Sequence, residues 1–402
     1  MSMLEGIKTI SDIDLAHRRV LIRADLDVDL DSASAADARI GEALPTIRHA
    51  LDAGARVIVA SHAATPGAAN APGVPSMEAI GLRLADLSGL EVHLPEDSVG
   101  DAPKKVVQDL RPGQICLLEN LRLHTQEQEN DVAFAHKLAD LCDVYIGDDL
   151  RTARLDHASV SALPPLVRER GCGFALQAEL KAFDALATSP ARPFVAVLGG
   201  ATLSDRVALI ETLLDKVDAL CVGGVMANTL LAARGVDLKA SRFEGGKLAL
   251  ARTILEKALD LGIPLLLPVD LVVAGSPDDP DGMVVDAGHV PDAAMALDIG
   301  PMTVKAYAGA LAGARTLLWH GPMGLANKPP FAQGTLALAR AMSGAPGFTV
   351  VCGTDSAAAA AQAGQEQGAH FGHVSTSGAL LDLLAGKRLP GIEALRTTTT
   401  DT

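Results

Sequence analysis

The chain has 402 residues, 49% of them hydrophobic and 21% charged, and a formal net charge of −15. That length is more than one hydrophobic core fills, so two domains are expected. The acidic balance argues against nucleic acid and acidic membrane surfaces as partners, and leaves small molecules. Aromatic residues make up only 3%, so the core must be aliphatic. The five cysteines, Cys116, Cys142, Cys172, Cys221 and Cys352, are widely spaced without a C-x-x-C pair. They read as buried small hydrophobes of a reducing cytoplasm. Residues 1–19 lack the apolar stretch of a signal peptide. The longest membrane candidate, residues 263–274, is interrupted by Pro268 and Asp270.

Along the chain, short apolar runs alternate with helical patterns. Runs at residues 20–24, 57–61, 115–118 and 144–146 come first, then 194–198, 220–222, 265–273, 317–319 and 349–351. They are continuous rather than alternating, the pattern of strands buried on both faces of a parallel sheet. Between them, Leu44, Ile47 and Leu51 share one helical face that Gly54 ends. Leu248, Ala251, Leu255, Ala258 and Leu259 form a second stripe, closed by Gly262 and Pro264. The alternation predicts an α/β protein of two doubly wound, Rossmann-like parallel-sheet domains joined by a helix and hinge. The expected bounds are 1–172 for the first domain, 173–192 for the connecting helix and hinge, and 193–376 for the second domain. Residues 377–402 form a final segment returning toward the first domain.

In open parallel sheets, ligands bind beyond the carboxyl ends of the strands. In the second half those ends carry Gly199-Gly200, Gly223-Gly224, Gly321 to Gly324 and Gly353-Thr354-Asp355. Glycine lets the backbone approach a phosphate, and a following helix N-terminus supplies free N–H groups. One such turn is weak, because tight turns need glycine anyway; four together point to a nucleotide-phosphate surface. No G-x-x-x-x-G-K-[ST] loop is present, and no G-x-G-x-x-G follows the first strand. Asp355 opens the run SAAAAAQA, where it either caps a helix or meets Mg²⁺ on nucleotide phosphates. In the first half the strand ends carry Arg23, Asp25, Asp27, His62, Arg122 and Asp148, with Arg39 expected in the loop before the first helix. Their shared position tilts them toward an anion site.

Several long motifs, in order, resemble the phosphoglycerate kinase family. RRVLIRADLDVDL (18–30) is similar to its R-V-L-V-R-V-D-F-N-V-P-L, and ADARIGEALPTI (36–47) to D-x-T-R-I-x-x-A-L-P-T-I. LLENLRL (117–123), LGGATLSDR (198–206), LDIGP (297–301), WHGPMGLAN (319–327) and LPGIEAL (389–395) continue the series. The resemblance implies a cytoplasmic, monomeric enzyme of glycolysis that moves a phosphoryl group between Mg-ATP or Mg-ADP and the carboxylate of 3-phosphoglycerate. It implies that Asp25, Asp27, Arg39, His62, Thr65, Arg122 and Leu155 occupy the acid-binding positions, with Arg39 catalytic. Gly200, Ala201, Thr202, Arg206, Gly224, Asn327, Gly353, Thr354, Asp355 and Ser356 occupy the nucleotide-binding positions, with Asp355 facing the metal.

Several of those positions depart from the family pattern. Asp27 stands for its Asn, Asp29 for Pro, Thr65 and Leu155 for two Arg, Thr202 for Lys, Asn327 for Glu and His320 for Asn. The family's S-T-G-G-G-A-S run reads STSGAL from Ser375, one residue short. Each lost charge-assisted contact costs about 1.5–3 kcal/mol, and a donor acting in the transition state is worth on the order of 10²–10³ in rate. Weak or altered activity toward 3-phosphoglycerate is therefore expected. The alternatives are a phosphotransferase for a different carboxylate and an inactive nucleotide-binding protein. Arg151, Arg154 and Lys328 stand where the family has Gly, His and an apolar residue. They either rebuild an anion site of different shape or lie on the surface as solvated charges, and the second reading is the expected one.

Overall fold

The valine- and isoleucine-rich runs form strands because branched side chains pack well on a pleated surface and lose little freedom there. A computed structural model describes residues 2–28, 33–63, 75–367 and 371–397. The chain divides into two units, Met1–Lys181 with Arg388–Thr402, and Ala182–Lys387.

The first unit holds a seven-stranded sheet of β1 (Lys8–Thr9), β2 (Arg19–Arg23), β3 (Arg56–Ala60), β4 (Glu91–His93), β5 (Gln114–Leu117), β6 (Val144–Gly147) and β7 (Glu169–Cys172). Its order is β1-β7-β6-β2-β3-β5-β4, and every pairing is parallel. Ile22 aligns with Val59 on one side and Ile146 on the other, and all three are wholly buried. Helix Ala33–Asp52 lays Ile40, Ile47 and Ala50 on this core, with Leu44 and Leu51 packed at its margin. Gly54 then turns the chain at φ +79°, a conformation that costs a side chain but not glycine. β2 and β6 are neighbours, yet the sheet continues to β3 from one and to β7 from the other. That reversal opens a crevice at their carboxyl ends.

The second unit repeats the plan with β8 (Phe194–Leu198), β9 (Ala219–Val222), β10 (Leu265–Leu266), β14 (Thr316–His320), β15 (Phe348–Cys352) and β16 (His373–Ser375) in the order β10-β9-β8-β14-β15-β16. Here too all pairings are parallel, and the switch point lies between β8 and β14. A separate antiparallel sheet, β12 (Met283–Asp286), β11 (Asp270–Ala274) and β13 (Met295–Ile299), was not legible as such. The expected single strand over residues 265–273 is split into β10 and β11. Pro268 has no N–H to continue a ladder, so the chain leaves one sheet and enters the other.

The expected stripe on helix Leu248–Asp260 is shifted: Ala251, Ile254 and Ala258 are buried, whereas Leu259 is 79% exposed. Helix Phe174–Ala187 crosses the boundary between the units. Residues 377–387, grouped above with the final segment, belong to the second unit, where Ala379–Leu384 packs on helix Val207–Leu214. Helix Pro390–Leu395 belongs to the first, where Leu395 packs over Gly147. All five cysteines are free and buried; burial pushes the Cys116, Cys142, Cys172 and Cys221 thiols up to about 12.

Candidate active site

The crevice of the first unit gathers charged side chains from four strand ends. Asp25 and Asp27 follow β2, His62 follows β3, Arg122 lies in the turn Leu121–Leu123 after β5, and Asp149 and Arg151 follow β6. Asp25 is buried. Its Oδ1 accepts the Asp27 N–H at 3.0 Å, and its Oδ2 accepts the Arg151 guanidinium at 2.6 Å. Arg39 is not in a loop but in the second turn of helix Ala33–Asp52. Its Nη1 donates to the Asp27 carbonyl and stands 3.7 Å from the same Asp25 Oδ2. The helix holds its backbone rigid and leaves only the side chain to reach the crevice.

Arg23, which ends β2, is almost wholly buried and fully engaged. Nε donates to Ser159 Oγ at 2.9 Å, Nη1 to the Ala24 carbonyl at 2.7 Å, and Nη2 to His62 Nδ1 at 2.9 Å. An arginine only donates, so His62 accepts at Nδ1 and carries its proton on Nε2, 3.8 Å from Asp27 Oδ2. Burial, then the Arg23 charge, hold His62 well below the usual imidazole range, so it is neutral. Ser159 Oγ in turn donates to Glu127 Oε1 at 2.5 Å, which sets a carboxylate one hydrogen bond away from the buried Arg23 charge. Burial also lowers His157 and works against the Arg122 charge. Asp149 caps the short helix Leu150–Ala153 through the Thr152 N–H; burial, then the nearby Asp25 charge, push its carboxyl up.

Leu155 is half-buried with its N–H on the Thr152 carbonyl at 2.8 Å, and its side chain offers an anion nothing. Thr65 and Asp29 lie outside the described residues. Arg151 is the residue that sequence reasoning set aside as a surface charge. It is drawn inward by Asp25, and the one signal was its place in the turn after β6, where the resemblance leads one to expect Gly. Asp148 has a structural role, capping helix Phe174–Ala187 through the Ala175 N–H at 3.0 Å, with burial raising it to about 8.

The second unit builds its crevice from backbone. A Cβ on Gly199 would lie 2.1 Å from the Pro322 carbonyl oxygen, one on Gly224 2.7 Å from that of Gly200, and one on Gly321 2.3 Å from that of Gly199. Three of the four glycine turns thus pack against one another, and only glycine permits it. The fourth is tied in because Ser356 accepts the Gly321 N–H at 2.7 Å from within the wall. Ser356 is wholly buried and braces the turns. A cavity of about 720 Å³ opens beside them, lined by Gly200, Ala201, Gly224, Asn327 and Asp355, together with Arg242, Met295, Leu297 and Asp298, which sequence reasoning missed. The Asp298 carboxyl accepts the Gly334 N–H at 2.7 Å; burial raises it to about 7.

Asp355 is the second residue of helix Thr354–Gln367 and does not cap it; Thr354 is the first, and Gly353, at φ +92°, precedes it. Thr202 donates to Asp205 at 3.0 Å. Arg206 ends the turn Ser204–Arg206 and helps to depress His320. Burial first, then Arg206, hold His320 near pH 4, and its Nδ1 donates to the Cys352 carbonyl at 3.0 Å. Lys328 pairs with Asp278 at 2.7 Å on the surface, and Arg154 is exposed.

A charged crevice in one open sheet and a glycine-walled one in another is the layout that the motifs lead one to expect. The profile of the phosphoglycerate kinase family matches residues 10–387. The chain belongs to the phosphoglycerate kinase family. It is 46% identical over 394 residues to a phosphoglycerate kinase of Anaeromyxobacter dehalogenans (strain 2CP-C), covering 97% of this chain and 99% of that one. It is 43% identical over 390 residues to one of Moorella thermoacetica, covering 96% and 98%. Among solved structures it is similar to phosphoglycerate kinase from Coxiella burnetii, with a TM-score of 0.85, 34% identity and 97% and 98% of the chains covered. It is also similar to that from Pyrococcus horikoshii OT3, with a TM-score of 0.81, 26% identity and 96% and 98% covered. Membership accounts for the two-domain α/β architecture. Among the described residues no helix is long and apolar enough to cross a membrane.

Proposed function

We propose that this chain transfers a phosphoryl group between a nucleoside triphosphate and the carboxylate of a small acid, and that it turns over 3-phosphoglycerate slowly. The observation that supports the second half is the Asp25 carboxylate. One of its oxygens already engages Arg151 at 2.6 Å with Arg39 at 3.7 Å, so an incoming anion competes with an internal ion pair for the same guanidinium groups. Leu155 supplies no replacement. In the second unit, the N–H groups of the glycine turns and of the first turn of helix Thr354–Gln367 receive the nucleotide phosphates. Arg206 adds charge where Thr202 cannot.

Among the described residues no three His, Cys, Asp or Glu side chains gather to hold a metal. Asp355, exposed in the cavity wall, fits a divalent ion, Mg²⁺, shared with nucleotide phosphates rather than held by protein alone. Such an ion would neutralise phosphate charge during transfer. The chain's own residues do the rest: Arg39, Arg122 and Arg151 bind and orient the acid, and neutral His62 offers its Nε2–H beside Asp27.

A second reading, nucleotide binding without turnover, is favoured by Thr202, whose hydroxyl is engaged by Asp205. Thermal melts with Mg-ADP and with 3-phosphoglycerate, beside a coupled kinase assay, separate the two. Saturation at 100 times Kd stabilises by about 2.7 kcal/mol. A nucleotide shift with slow ADP formation supports transfer. A nucleotide shift with no ADP formation from any small carboxylic acid supports binding alone.

A further inference from the structure

The cavity of the second unit has walls of two kinds. One is the pair of turns at Gly200 and Gly224 with Asp355 beside them, where backbone N–H groups meet phosphates. The other is Leu271 from β11 with Met295, Ala296 and Leu297 from β13, an apolar wall suited to the flat face of a base. Among the residues that line the cavity, one side chain is a cation, Arg242. Its backbone is tied to the apolar wall. Ser241 Oγ accepts the Ala296 N–H at 2.9 Å, and the Arg242 carbonyl accepts the Asn228 side-chain amide at 3.0 Å. Two residues further on, Thr229 Oγ1 accepts the Glu244 N–H at 3.1 Å. Asn228 lies on helix Gly224–Ala233, one turn beyond Gly224 and about 6 Å along the axis. The segment that carries Arg242 is thus fixed on the base side of the cavity.

Arg242 is exposed, and among the described residues its guanidinium makes no hydrogen bond or ion pair. The two carboxylates in the same lining do not claim it. Asp298 accepts the Ile299 N–H at 2.8 Å and the Gly334 N–H at 2.7 Å, and Asp355 stands in the first turn of helix Thr354–Gln367, at the phosphate wall. A guanidinium donates and does not accept. It therefore opposes the amino group that adenine carries at C6 and favours a carbonyl there, and its planar fork spans O6 and N7 of such a purine. We propose that Arg242 reads the base, and that the chain binds 6-oxopurine nucleotides, those of hypoxanthine and guanine, on a par with adenine nucleotides or more tightly. This rests on the nucleotide reading above and adds to it the class of base.

The test is calorimetric titration of the intact chain with Mg-ADP and with Mg-IDP, whose bases differ at C6 and in the N1 proton that goes with its carbonyl. Mg-IDP is expected to bind within about threefold of Mg-ADP, or more tightly. Mg-IDP binding weaker than Mg-ADP by more than about threefold overturns the proposal, needs no variant to fold, and leaves the nucleotide reading intact. No binding of either nucleotide removes both. In Arg242→Met, which keeps a long side chain without its charge, the ratio of the Mg-IDP to the Mg-ADP dissociation constant is expected to rise by about fivefold or more, the discrimination of one bidentate pair. A smaller rise, in a variant that a thermal melt shows to be folded, overturns the role of Arg242. An equal fall in both affinities is one such result, and would put the guanidinium on the phosphates rather than on the base.

Discussion

The two units solve one topological problem with different materials. Each has an open parallel sheet whose order reverses at a central pair of strands, β2 and β6 in one, β8 and β14 in the other. Each places its crevice at that reversal. The first unit furnishes it with side chains, whose charge changes with a single codon. The second furnishes it with backbone, in glycine turns packed so closely that almost any substitution would break them. A site made of side chains can be rewritten while the fold persists; a site made of backbone persists or collapses with the fold. This accounts for a chain that keeps the three interlocked turns at Gly199, Gly224 and Gly321 while its first crevice carries Asp27 and Arg151.

The comparison is broken most forcefully by restoring charge on both sides. Thr202→Lys combined with Leu155→Arg is expected to raise turnover of 3-phosphoglycerate by about 10²-fold or more, read in a coupled assay. No gain from either change, alone or together, would mean that other positions limit the rate.

Next in size is Gly199→Ala. Its Cβ would lie 2.1 Å from the Pro322 carbonyl oxygen, so the turns must separate. Mg-ADP affinity is expected to fall by about tenfold or more, with a stability loss of about 2–3 kcal/mol from the strained contact. A substitution in the first crevice that keeps a cation beside buried Asp25, Arg151→Lys, should leave stability within about 1 kcal/mol. Equal destabilisation of both variants in chemical denaturation would erase the distinction drawn here.

A smaller effect concerns pH. Asp298 in the cavity wall titrates near 7 in the folded chain against an ordinary 3.8. Its folded pKa is raised, so the folded state holds a proton that the unfolded state has lost. Stability therefore falls as pH rises between those values and levels off above 7. Asp298→Asn is expected to remove about 2 kcal/mol of that decline between pH 5 and pH 7, measured as thermal melts across pH. A variant with the same pH profile as the parent would place the titration elsewhere.

The smallest change is Lys328→Ala. Its pair with Asp278 is exposed, at 39% and 81% on the two side chains, and exposed pairs are worth about 0–1 kcal/mol. Neither stability nor Mg-ADP affinity should move measurably in denaturation or titration.

The sheets were legible because their strands are continuous apolar runs, and residues 194–198 are β8 end to end. β11 was misread because a proline break inside one apolar run separates strands of two sheets, which apolar content alone does not reveal. The exposed strand β12, with no buried face, carries no such signal at all. Leu259 was misplaced because a helix stripe read from spacing does not say where its cover ends. In the crevices, the glycine turns could be read from sequence because their spacing repeats at four strand ends. Arg39 was assigned to a loop because the acidic, alanine-rich stretch before it gives no clear helix start. Arg151 was underrated because its meaning depends on Asp25, 126 residues earlier, and only the fold brings them together.

The kcat/KM of the unaltered chain for 3-phosphoglycerate with saturating Mg-ATP decides whether the first crevice slows transfer. A value below about 10⁴ M⁻¹s⁻¹, the lower edge for working enzymes, is expected. A value of about 10⁶ M⁻¹s⁻¹ or more would show that the crevice accepts the phosphate ester although Arg151 is paired with Asp25, and would contradict slow turnover.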